Sequence, residues 1–431
     1  MNRGFVALSL TIVGVIGLSR VACASDSAPP ADPSPGVAAT QAARISELQK
    51  VAITAQLDAA VVRGDTPGVV GLVVDREGEI YFASSGRSNT EANAPMRRDA
   101  IFAIASMTKP VTSVAIMMLA EAGKLTLDDP VSKYLPGFDH LEVITRFNEA
   151  DGTYETRPAK RAMTIRHLLT HTSGIGYAFS SPIVAKLQKS QDIDEWTLPL
   201  LNEPGAEWHY SASTRVLGLI VEKVTGESLE DWFQAHIFRP LGMHDTSFAV
   251  PAEKQSRLPR VNVRGPDGKF QQRPRANTPS TPTPPYRGDG GLYSTAHDYG
   301  SFIRMFLNGG KLGSARILSE ASVRAMGQNQ IGAIFVEQQP AVLPQLAKPF
   351  PLGAGRDKFG LGFQLTSASA DTRTYRSAGS MSWAGIYNTE FWIDPRMHIG
   401  GVLLMQTLPF YDDGAIRTLQ TFEKSVYRAL R

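Results

Sequence analysis

A serine and a lysine three residues apart, Ser106 and Lys109, sit in the stretch Phe102-Ala103-Ile104-Ala105-Ser106-Met107-Thr108-Lys109-Pro110. At a helix start the two side chains project from one face, and the ammonium comes within reach of the hydroxyl. A serine hydroxyl is a poor nucleophile until a neighbouring base takes its proton. Lysine can be that base where burial or nearby charge lowers its pKa. The pairing therefore points to covalent catalysis through an acylated serine. Ser-x-x-Lys alone is a weak signal, since such spacings arise by accident. Here it is the chain's only instance. The apolar run FAIA leads in and the amphipathic run VTSVAIMMLAEAGKL leads out. Pro110 falls in a first turn, where its missing N–H costs little.

The elements that must hold this pair are legible from periodicity. A helix is expected over Thr40 to Val62, with Ile45, Leu48, Val51, Ile53, Leu57 and Val61 at near-helical spacing. Two strand-like runs follow, Gly68 to Val74 and Glu79 to Ser84, split by the turn Asp75-Arg76-Glu77-Gly78. Near the other end, Ile386 to Ile393 and Ile399 to Thr407 read as a second hairpin around Asp394-Pro395-Arg396, and a last helix as Asp413 to Leu430. Between them, helical patterning marks Ser106–Ala122, Thr164–Thr170, Ala212–Thr225, Leu229–Ile237 and Ala296–Asn308. Segment 251–289, rich in Pro and Arg, reads as an irregular insertion wrapping the helical part. The expected class is α+β: one antiparallel sheet closed by both chain ends (about 40–105 and 290–431), covered on one face by the two terminal helices, beside a mostly helical lobe (about 106–289).

Composition bounds the function. The 431 residues are 42% hydrophobic and 20% charged, with a net charge of +3. So near-neutral a balance gives no footing for a nucleic-acid or anionic-membrane partner. Arg3 and the apolar run Phe5 to Leu18, followed by Ala22-Cys23-Ala24, read as an export signal over 1–24. Removing it leaves no integral membrane segment and a periplasmic or secreted protein. Lipid attachment at Cys23 is disfavoured by Arg20, which stands where an aliphatic residue is usual. Residues 25–39 have linker composition, Pro- and Ala-rich, and 40–431 form the functional domain. Cys23 is the only cysteine, so the mature chain has no disulfide, thiol nucleophile or cysteine metal site. Without a Gly-x-Ser-x-Gly elbow, an α/β-hydrolase triad is disfavoured. His167 and His171, four apart, lack a HExxH pattern and read as structural. No metal and no cofactor is expected, and nothing in the sequence sets an oligomeric state.

Several further segments occur in a recognisable order: Lys124-Leu125-Thr126-Leu127-Asp128-Asp129-Pro130-Val131, Thr164-Ile165-Arg166-His167-Leu168-Leu169-Thr170-His171-Thr172-Ser173-Gly174, Pro240-Leu241-Gly242-Met243, Gly290-Gly291-Leu292-Tyr293-Ser294-Thr295-Ala296 and Gly360-Leu361-Gly362-Phe363. With Ser106-Met107-Thr108-Lys109, they resemble the serine β-lactamase and penicillin-binding-protein family over most of residues 60–410, especially class C lactamases and family VIII carboxylesterases. The resemblance implies that Tyr210, in Trp208-His209-Tyr210-Ser211-Ala212, completes a proton relay with Lys109. A phenol can act as base where a nearby cation stabilises phenolate. Ser, Lys and Tyr would then titrate as a coupled set.

The third motif departs from the lactamases. Where they carry Lys-Thr-Gly, this chain has Ser382-Trp383-Ala384-Gly385-Ile386, expected to lead into the Ile386 to Ile393 strand. Trp-x-Gly is similar to family VIII esterases and related acyltransferases. By the resemblance, the backbone N–H groups of Ser106 and Ile386 form the oxyanion hole, and Gly385 lets substrate approach the strand. Trp383 removes a cation that would meet a lactam's carboxylate, and Ala212 removes an amide that would hold its acyl-amide. Arg376 lies close in sequence as a replacement cation, with no geometric reason to assign it that role. The substrate expected is a small-molecule ester. A β-lactamase or D-Ala-D-Ala peptidase on the same residues, an acyltransferase and a non-catalytic binding protein are the competing readings.

Overall fold

Serine before a glutamine three residues on starts the first helix. The Ser46 hydroxyl accepts from the Gln49 N–H while the Gln49 side chain accepts from the Ser46 N–H, a capping box that opens α1, Glu47–Val62. The computed structural model describes residues 45–191, 194–367 and 375–431. The expected signal peptide, the linker and the helix residues 40–44 lie outside the described residues. The helix starts later than expected because Ser46 caps it.

A hairpin follows, β1 Gly68–Asp75 and β2 Glu79–Asn89, with a short β3, Ala94–Pro95. The Asp75 carboxylate closes its turn by accepting from the N–H groups of Glu77 and Gly78. The helices that matter for the site are α2 Thr108–Glu121, α3 Ser213–Thr225 and α4 Ala296–Leu307. The chain then returns as β4 Lys358–Phe359, β5 Gln364–Leu365, β6 Met381–Gly385, β7 Thr389–Asp394 and β8 Ile399–Leu404, and ends in α5 Asp413–Ala429. These strands form one antiparallel sheet in the order β4-β5-β6-β7-β8-β1-β2-β3. The two ends of the chain meet at its centre, where Val70 of β1 pairs with Leu404 of β8.

Alternation along β1 sorts its side chains between two cores. Val69 and Val73 pack with Leu57 of α1 and Phe422 of α5, whereas Val70, Leu72 and Val74 pack on the other face with Phe302 and Ile303 of α4. Both faces are covered, which is why β1 reads as an unbroken apolar run. The terminal helices lie together on one face, as expected. Phe422 is fully buried between them and the sheet, and its truncation to alanine would cost about 3–5 kcal/mol.

Three expectations are corrected. The apolar run from Ile386 is not one strand: β7 begins at Thr389, and Ile386 to Asn388 is the turn joining it to β6, a separate strand carrying Trp383 to Gly385. Asn388 takes the left-handed conformation (φ 58°), which asparagine tolerates, and its amide donates to the carbonyls of Thr407 and Pro409. Segment 251–289 does more than wrap helices. Its residues Asn262–Arg264 pair in parallel with Thr407–Leu408, and Arg264 forks onto Asp412 at 2.8 and 2.9 Å. The helix expected over Leu229–Ile237 widens into a π-helical turn over Gln234–Phe238. No helix among the described residues is long and apolar enough to cross a membrane.

Candidate active site

The turn that presents Ser106 is held from several directions. Ala105 takes a left-handed conformation (φ 44°), unfavourable for a residue with a Cβ. Its surroundings fix it there. The Ile104 N–H donates to the Leu292 carbonyl at 3.0 Å, the Tyr299 hydroxyl donates to the Met107 carbonyl at 2.9 Å, and the Gln406 amide brackets both backbone groups of Ala103. Residues Ala105–Met107 make one tight 3₁₀ turn before α2 begins. Gly385 is part of this support. A Cβ there would sit 2.3 Å from the Ile104 carbonyl oxygen and 2.3 Å from the Thr389 hydroxyl. The glycine thus admits the backbone leading to Ser106.

Ser106 Oγ accepts two hydrogen bonds. The Tyr210 hydroxyl donates at 2.6 Å and the Lys109 ammonium at 3.2 Å. Tyr210 is carried by the segment entering α3, so the three residues expected together from sequence are together in space. Lys109 is 2% exposed, and its Nζ also donates to the Asp289 carbonyl at 2.6 Å and the Tyr177 hydroxyl at 3.1 Å. Three donors meet three acceptors, which fixes the ammonium. It stands 4.8 Å from the Tyr210 ring centroid, within cation–π range. A nitrogen and a phenolic oxygen thus both lie within hydrogen-bond distance of Ser106 Oγ.

Tyr177 and Asp289 were missed at the sequence level. The Tyr177 hydroxyl donates to Asp289 Oδ2 at 2.6 Å, and Arg287 reaches the same oxygen at 3.1 Å. Burial pushes the Asp289 carboxyl up, but the Lys109 ammonium and Arg287 guanidinium hold it down at about 2. Burial and the Asp289 charge push the Tyr177 phenol well above its ordinary range, so it stays a donor. The signal available was Asp289 standing directly before the Gly290-Gly291 pair. Nothing local marks Tyr177.

Beside the serine opens a cleft of about 940 Å³, counting its mouth, with Ser106, Tyr210, Trp383, Ala384 and Ile386 on its wall. Its flank is aromatic, from Phe179, Phe350 and Phe410. Trp383 packs on Tyr210 with centroids 5.0 Å apart, and on Phe359 at 5.6 Å. Ala212 is fully buried and off the cleft wall, so its missing amide bears on the substrate less than Trp383 does. Arg376 is no spare cation: it pairs with Glu423 of α5 and stacks over Trp392. The two histidines of the RHLLTH segment are taken up in the protein's own hydrogen bonds. His167 Nδ1 accepts from the Thr164 N–H, and His171 Nδ1 meets the Ser211 hydroxyl at 3.0 Å. Burial and the Lys109 charge hold the His171 ring well below its usual pKa, hence neutral. His209 pairs with Glu207.

The beta-lactamase family model matches residues 47–424. Protein Rv1367c of Mycobacterium tuberculosis is 35% identical over 392 residues, covering 84% of this chain and 94% of its own. Esterase EstB of Burkholderia gladioli is 31% identical over 386 residues, 84% of this chain and 92% of its own. Among solved structures, the LovD6 mutant of simvastatin synthase from Aspergillus terreus superposes with a TM-score of 0.75 at 26% identity, over 89% of this chain and 95% of that one.

Proposed function

The chain belongs to the beta-lactamase family, and on that premise we propose that it is an exported carboxylesterase acting through a Ser106 acyl-enzyme. Its fold and its esterase and acyltransferase relatives make it a serine hydrolase-type enzyme. The observation that carries the finer reading is the pair of donors on Ser106 Oγ, from Tyr210 and Lys109. In this reading one of Tyr210 and Lys109 enters the step without its proton, and Ser106 gives its own proton to that group as Oγ attacks the ester carbonyl. The same pair returns a proton to the leaving alcohol, and water repeats the sequence to release the acid. The N–H groups of Ser106 and Ile386 stabilise the tetrahedral oxyanion. Ile386 on the cleft wall beside Ser106 supports that assignment.

Trp383 favours an ester over a lactam. An indole stands where a lactamase offers its lysine, and it is locked against Tyr210, so that position offers a substrate carboxylate an aromatic face in place of a cation. Turnover of p-nitrophenyl acetate and of a cephalosporin, compared with Ser106→Ala, tests this. Fast ester cleavage and slow lactam cleavage, both abolished in the variant, are expected; fast lactam cleavage would reverse the specificity. Acyl transfer is the second reading, supported by the likeness to simvastatin synthase. Adding an alcohol to the ester assay checks it: a new ester in the products, with less acid, marks a transferase.

A further inference from the structure

The cleft does not end in its aromatic flank. Its lining also includes Glu390, Arg376 and Glu423, a charged group whose two carboxyls are almost fully buried and form its inner end. Glu390 is on β7, directly opposite Ala384 of β6, on the face turned towards α5. It is 5% exposed, and among the described residues its Oε1 has no hydrogen-bond partner. A carboxyl so placed costs stability unless something satisfies it. The guanidinium of Arg376, in the same lining, is paired with Glu423. We propose that this inner end of the cleft is a subsite in which Glu390 receives a hydroxyl carried at the far end of one arm of the substrate.

This proposal rests on the esterase reading and narrows it to esters whose longer arm is apolar near the carbonyl and hydroxylated further out. The aromatic flank fits the apolar stretch, and the inner end fits the polar one. Burial, together with the Glu423 charge and against that of Arg376, pushes the Glu390 carboxyl up to about 8. The neutral acid both donates and accepts, which matches a hydroxyl. Arg376 and Glu423 already neutralise one another, so an arm bearing a full charge finds no free counter-ion in that pair. A site built to hydrogen-bond a hydroxyl discriminates against the analogue without it, because the buried partner is then left unpaired.

The test is calorimetric binding to the full chain carrying Ser106→Ala, so that binding is read without turnover. The probes are methyl esters of ω-hydroxy acids and acetate esters of diols, each over a ladder of chain lengths and each against its methyl-terminated isostere. At the length that spans the cleft, the hydroxylated ester should bind roughly tenfold tighter. That preference should vanish with Glu390→Leu added and survive in part with Glu390→Gln. Equal affinities at every length in both series, or a preference that persists in Glu390→Leu, overturns the subsite. Kinetics of the unmutated enzyme on the same esters are read separately: no cleavage of any of them refutes the esterase reading, whereas the binding ratios decide the subsite.

Discussion

Replacing Tyr177 by phenylalanine removes one oxygen from the arrangement around Lys109. That oxygen accepts from the ammonium at 3.1 Å and passes its own hydrogen to Asp289 at 2.6 Å. Lys109 is 2% exposed and has all three hydrogens engaged, so the variant strands one of them where water does not reach. A hydrogen bond to a charged group contributes about 1.5–3 kcal/mol. If that loss falls on the placement of the ammonium against Ser106, kcat drops by roughly 10- to 150-fold. Tyr177 is not on the cleft wall, so KM should stay within about twofold. The assay is steady-state hydrolysis of p-nitrophenyl acetate, with thermal melting to establish that the variant is folded. A folded variant with unchanged kcat, or one whose loss lies in KM, would refute the reasoning that Tyr177 positions Lys109.

Gly385→Ala should lower both stability and activity, because its Cβ would strike the Ile104 carbonyl and the Thr389 hydroxyl. Melting temperature and kcat measured together check this, and a variant as stable and active as the parent would contradict the packing argument. Glu390 supplies a pH signature. Its carboxyl is raised above the unfolded value, so the native state holds the extra proton, and stability falls as pH rises from the ordinary carboxylate range through about 8. Glu390→Gln should flatten the decline of melting temperature between pH 6 and 9, measured by circular dichroism. Parallel curves for the two proteins would contradict it.

What the sequence carried is local. Ser106 and Lys109 are one helical turn apart, so spacing alone put them on one face, and the Asp75 to Gly78 turn announced the first hairpin. Where the signal was tertiary it was lost. Tyr177 and Asp289 lie 68 and 180 residues from Lys109, and only folding brings them to it. The run from Ile386 was read as one strand because its apolar character is continuous, while the turn in it is set by the left-handed Asn388 and three carbonyl and hydroxyl partners from residues 407 and 409. The close approach of Ile104 to Gly385 is likewise invisible in the sequence, because a glycine's neighbours appear only once the backbone is placed against it. Glu390 stood unremarked inside an apolar strand.

Every step of the proposed chemistry runs through an acylated Ser106. Intact mass after brief exposure to p-nitrophenyl acetate, quenched in acid, tests it most directly, alongside Ser106→Ala. One added acetyl group on the parent, mapped to the peptide containing Ser106 and absent from the variant, is the predicted result. Ester turnover that persists in Ser106→Ala, or an acetyl group mapped to another residue during turnover, would contradict the account.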